Sequence, residues 1–80
     1  MNVESLVTMA NQIADFFVAE AGVDAAAQEI ASHITKFWDP RMRTQIIAHA
    51  ATGGAGLSPA ALAAVGQLRP PVAKAASAVV

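Results

Sequence analysis

The chain has no cysteine among its 80 residues, which removes disulfides, thiolate catalysis and cysteine-ligated zinc or iron–sulfur sites together. Charge is sparse and nearly balanced. Lys36, Arg41, Arg43, Arg69 and Lys74 stand against Glu4, Asp15, Glu20, Asp24, Glu29 and Asp39, for a formal net charge of −1. The pronounced basic face of a nucleic-acid-binding domain is therefore missing. No window of about 20 residues is apolar enough to span a bilayer. The N-terminus carries Glu4 and Asn11 where a signal peptide needs a basic segment and an unbroken apolar run. A cytoplasmic protein with neither nucleic acid nor membrane as partner is the expectation. Alternating β-branched runs are also absent, so no strand is expected.

Large apolar side chains are scarce too. Alanine fills 20 of the 80 positions; it favours helix at little entropic cost but brings little area to a core. A chain of this length buries only about 60–65% of the surface its unfolded form exposes. Stability in isolation is expected to be thin, and a partner that completes the core is a natural expectation.

What is present is helical periodicity with clear punctuation. Leu6, Met9, Ala10, Ile13, Phe16 and Phe17 recur at spacings of three and four, the period of an amphipathic helix. Asn2 is placed to cap that helix and Gly22 to end it, which predicts a helix over 3–20. Asp24 then reads as the cap of a second helix over 25–37, with Ala27, Ile30, Ala31 and Ile34 in line. Asp39-Pro40 starts a third over 40–51, ended by Gly53-Gly54, and Ser58-Pro59 starts a fourth over 59–68, with Leu57 and Leu62 placed as a hydrophobic staple. Pro70-Pro71 stops it. The expected fold is all-α, a four-helix domain over 1–69 followed by a frayed Pro/Ala/Val-rich tail over 70–80.

One stretch is unlike the rest. Phe37-Trp38-Asp39-Pro40-Arg41-Met42-Arg43 holds the only Trp, one of three Phe and two of the five basic residues. Aromatic and guanidinium groups dominate hot spots at protein interfaces. Neighbouring residues on a helix point about 100° apart, so Phe37 and Trp38 do not both fit one small core, and one is expected to face outward or into a partner. An exposed Trp beside two Arg has the composition of a binding surface. Arg41 and Arg43 fall in the first turn of a helix, where the dipole disfavours cations, which points to a tertiary or external use. The same question arises at Phe16-Phe17: the two rings belong to one broad apolar face of the helix, or one packs in the core and the other, Phe17 being the candidate, lies at an interface. The expected partner-binding residues are Phe37, Trp38, Asp39, Pro40, Arg41, Arg43 and Phe17.

Catalytic and metal chemistry finds no foothold in the sequence. His33 and His49 lie 16 residues apart across a helix break, with neither metal-ligand spacing nor a nucleophile motif. Gly53-Gly54-Ala55-Gly56 lacks the lysine, hydroxyl and preceding strand of a phosphate-binding loop and reads as a flexible connector. No catalytic, cofactor-binding or metal-ligating residue is expected.

The segments Leu6-Val7-Thr8-Met9-Ala10-Asn11-Gln12-Ile13-Ala14-Asp15-Phe16-Phe17, Ile30-Ala31-Ser32-His33-Ile34 and Lys36-Phe37-Trp38-Asp39-Pro40-Arg41-Met42-Arg43 together resemble the small delta subunit of molybdenum-dependent, NAD-reducing soluble formate dehydrogenases. The Gly53-Gly54-x-Gly56-Leu57-Ser58-Pro59 stretch resembles that family's C-terminal portion, so the likeness covers about 5–65 and leaves out the tail. Met9, Asn11, Gln12 and His33 fall on the family pattern, as do Phe37 to Arg41 and Arg43. The resemblance implies a non-catalytic accessory subunit that docks on and stabilises a molybdenum-containing alpha subunit, alongside beta and gamma subunits. It implies that the molybdenum bis-MGD, iron–sulfur clusters, FMN and NAD belong to those other subunits, with none in this chain. A maturation chaperone assisting molybdenum-cofactor insertion, or a homodimeric helical module, are the alternatives.

Overall fold

A computed structural model describes residues 2–69. It consists of four helices, α1 (Val3–Ala21), α2 (Val23–Phe37), α3 (Pro40–Ala51) and α4 (Pro59–Val65), and no strand occurs among the described residues. The expected all-α class is the observed one. The tail over 70–80 lies outside the described residues.

Three of the four helix starts are built by the local chemistry that the sequence displays. Asn2 Oδ1 accepts from Ser5 N at 2.8 Å, Asp39 Oδ1 from Met42 N at 3.0 Å, and Ser58 Oγ from Ala61 N at 3.3 Å. Pro40 and Pro59 each occupy the first turn, where the missing N–H has no partner to lose. The start of α2 departs from expectation. Gly22, not Asp24, is the cap, and it makes no side-chain bond. Its φ of +86° with ψ 159° lies in a region that only glycine occupies readily. There its N–H closes α1 on the Val18 carbonyl at 2.9 Å while its carbonyl opens α2 by accepting from Ala26 N at 3.0 Å. One residue thus reverses the chain. Asp24 falls inside the first turn instead, where its carboxylate still faces the positive end of the dipole.

The core runs along facing stripes. Leu6, Ala10 and Ala14 of α1 meet Ala26, Ile30, Ala31 and Ile34 of α2, with Ile46 of α3 and Ala61, Ala64, Val65 and Leu68 closing the other side. Among these, Leu6, Ile30, Ile34 and Ile46 are the largest side chains that are fully buried. Alanines fill much of the remainder, so the core is thin. The fourth helix ends at Val65, three residues short of the expected 68, because Gly66 opens a turn in which Gln67 N bonds Ala64 O at 2.9 Å and Leu68 N bonds Val65 O at 3.0 Å. That turn drops Leu68 back onto the core.

The link between α3 and α4 is tied down, contrary to its reading as a flexible connector. Asn11 on α1 donates from Nδ2 to Gly56 O at 2.9 Å and accepts at Oδ1 from Ser58 N at 2.8 Å. His49 Nε2 donates to Ala55 O at 2.8 Å. Gly54, at φ +66°, is buried so tightly that an added Cβ would lie 2.6 Å from Leu62 Cδ1 and 3.5 Å from Leu57 Cδ1. The two leucines of the staple close over that glycine.

Candidate functional site

The corner between α2 and α3 decides how the aromatic cluster is displayed. Phe37 is the last residue of α2 and keeps the helical direction, whereas Trp38 has already left it with φ −90° and ψ 142°. Pro40 disfavours helical backbone at Asp39, which is also extended at φ −77° and ψ 167°. The departure from the helix turns the Trp38 ring inward, to 5% exposure, and leaves Phe37 71% exposed. The expected division into one inward and one outward ring holds. The expectation of an exposed Trp beside two Arg does not, because it placed both residues on one helix. Trp38 is a core residue with an edge on the surface groove described below.

Arg43 and Arg41 also separate. The Arg43 guanidinium donates to the Trp38 carbonyl at 2.6 Å and more weakly to the Thr35 carbonyl at 3.5 Å. It closes the C-terminal end of α2, where carbonyls are unpaired and the dipole welcomes a cation. The unfavourable position at the start of α3 is thus offset by a favourable one at the end of its neighbour. Arg41 is exposed. Asp39 is engaged as the α3 cap and Pro40 as its first residue, so both build the corner.

Against this corner lies an open groove of about 520 Å³. Met9, Gln12, Ile13, Phe16 and Phe17 of α1 form one wall, and His33 and Phe37 of α2 the other; Trp38 and Met42 close the end at the corner. The rings pack in sequence along it. Phe16 meets Phe17 edge-on at 5.0 Å between centroids, Phe17 meets His33 at 6.0 Å, and His33 meets Phe37 at 4.7 Å. Phe17 is half-buried against the core, while Phe16 is 58% and Met9 38% exposed. The more open phenylalanine of the pair is therefore Phe16. A second shallow groove of about 350 Å³ lies between the C-terminal half of α1 and the start of α4, beside the exposed Val23.

Of the expected partner-binding residues, Phe37, Trp38 and Phe17 come together in the groove; Asp39, Pro40 and Arg43 build the corner beside it, and Arg41 is exposed there. Sequence reasoning about interfaces missed Phe16, Gln12, His33, Met9 and Met42. Their signal was present in part: Met9, Gln12 and Phe16 lie on one stripe of α1, and His33 stands four residues before Phe37. What was not legible is that these two stripes face each other across an unfilled gap. Among the described residues no group of three His, Asp or Glu side chains converges to hold a metal ion. His33 faces aromatic rings and His49 a loop carbonyl. No helix among the described residues is long and apolar enough to cross a membrane.

Fold and site define a small all-α protein whose distinctive feature is an open aromatic and methionine-lined groove, with no cluster of ligating side chains among the described residues. The chain belongs to the family of the NADH-dependent formate dehydrogenase delta subunit FdsD, whose pattern it matches over residues 5–65. That span takes in α1 from Ser5 onward, all of α2, α3 and α4, and the whole groove. Searches of curated proteins and of solved structures return no match.

Proposed function

We propose that this chain is a non-catalytic accessory subunit of a cytoplasmic NAD-dependent formate dehydrogenase complex, docking on and stabilising its molybdenum-containing alpha subunit, with beta and gamma subunits in the same assembly. The observation that carries this reading is the groove, in which Phe16 and Phe37 stand exposed on either side of an apolar trough. Contiguous apolar surface of this kind, rimmed by polar residues, marks an interaction site. Phe37, Phe16, Phe17 and Arg41 are the direct contacts in this reading. Trp38, Asp39, Pro40 and Arg43 position them. The molybdenum bis-MGD, iron–sulfur clusters, FMN and NAD are assigned to the other subunits, in keeping with a chain that has no cysteine for a cluster.

The test is co-expression of the tagged chain with the other subunits, followed by size-exclusion chromatography. One copy retained per alpha chain is the expected result, with affinity falling about thirtyfold in the Phe16→Ser, Phe37→Ser double variant, as for loss of interface anchors. Binding only to cofactor-free alpha subunit would favour the maturation-chaperone alternative instead.

A further inference from the structure

The groove carries more information than its apolarity. Both of its walls are α-helices, so their N–H and C=O groups are spent inside the walls, and an extended peptide would find no main-chain partners there. An occupant must satisfy its own backbone. An α-helix does so. From Met9 to Phe17 the α1 wall runs for about 12 Å at 1.5 Å per residue, the length of two helical turns. Met9 on the α1 wall and Met42 at the corner supply unbranched side chains that adapt to the shape of an inserted residue.

The ends of the groove differ in charge. Along α1, Gln12, Phe16 and Glu20 follow one another at four-residue spacing, and along α2 so do Glu29, His33 and Phe37, so each stripe that forms a wall carries an exposed glutamate at its end nearest the Gly22 reversal. The opposite end, at the corner, carries exposed Lys36 and Arg41. Of the acids at that end of the hairpin, Asp39 is engaged in capping α3, and Glu4, in the first turn of α1, falls off the stripe of Met9, Gln12 and Phe16. The trough therefore runs from an anionic end to a cationic one.

Resting on the docking reading above, we infer that the groove receives a single amphipathic helix of another formate dehydrogenase subunit. That helix places large apolar side chains between Phe16 and Phe37, lysine or arginine beside Glu20 and Glu29, and aspartate or glutamate beside Lys36 and Arg41. The charges fix the direction in which it lies, and the rings hold it.

The intact complex provides the test. Zero-length carbodiimide coupling, which joins a carboxylate to an amine, is expected to link Glu20 or Glu29 to a lysine and Lys36 to an acidic residue of the same partner helix. The Glu20→Lys, Glu29→Lys variant and the Lys36→Glu, Arg41→Glu variant should each weaken association about tenfold at low salt, with the deficit shrinking as salt is raised. Melting of each isolated variant should stay close to that of the parent chain, since all four positions are exposed. The inference is overturned, with the docking reading intact, if the chain stays in the complex while both charge variants bind like the parent. It is equally overturned if the two ends couple to separate segments, or if the groove is filled by a second copy of this chain, seen as two copies per alpha chain and a dimer of the isolated chain in sedimentation. A chain that fails to co-purify removes the docking reading itself.

Discussion

The two sides of this small molecule are put to opposite uses. On the side of α3 and α4, polar groups hold the structure together: Asn11 spans to Gly56 and Ser58, His49 to Ala55, and Ser58 to Ala61. On the side of α1 and α2, the ring series Phe16, Phe17, His33 and Phe37 lies open over a thin core. A chain with few large apolar residues would be expected to bury them all. Instead two of its three phenylalanines stay mostly exposed, and hydrogen bonds and caps hold the other side. The difference separates what keeps the chain folded from the face proposed above for docking.

The sharpest way to break this comparison is at adjacent residues. Trp38→Ala should cost about 3–5 kcal/mol, as for other large-to-small changes of buried aromatics, and leave little folded protein by circular dichroism. Phe37→Ala should cost less than about 0.5 kcal/mol. Equal melting of the two variants would show that the corner does not sort them as described. On the hydrogen-bonded side, Asn11→Ala removes both ties to the loop, an expected loss of about 2 kcal/mol at roughly 1 per bond. Its signature in hydrogen exchange is faster exchange at Ser58, with the amides of α2 slowed as before.

Smaller effects sharpen the picture at the corner. Arg43→Ala should cost about 1.5 kcal/mol, the scale of a hydrogen bond to a charged group, and Arg41→Ala close to none. Thermal melts of the two single variants compare them directly. A small stability effect is expected where the functional effect is largest: the Phe16→Ser, Phe37→Ser double variant should melt within a few degrees of the parent chain while losing the complex. A large fall in its melting temperature would place these rings in the core and remove the distinction between the two sides.

Much of this was legible in the sequence because helix starts are local chemistry. Asn2, Asp39 and Ser58 act within three residues of themselves, so their roles follow from spacing alone. Gly22 was read as an ending and not also as a beginning, since nothing in composition marks a glycine whose N–H and carbonyl serve two helices. At Trp38 the signal was there in Pro40, two residues on, but the ring's direction depends on the backbone leaving the helix one residue earlier than a helical projection assumes. The ties from Asn11 and His49 had no local signal. Asn11 reaches partners 45 and 47 residues away, and only the packed fold brings them together. The groove was hidden for the same reason: each stripe was visible on its own helix, but the gap between the stripes belongs to their pairing.

The single-residue reversal at Gly22 also bears on the order in which the molecule forms. Loop closure costs least for the shortest loops, and contacts near in sequence are made before those far apart. The α1–α2 hairpin, whose arms are separated by Gly22 alone, is the cheapest tertiary unit in the chain to assemble. The Asn11 ties must wait for a closure more than forty residues long. By the same argument both long walls of the aromatic groove belong to the unit that is cheapest to close, and the ties that brace α4 belong to the most costly one.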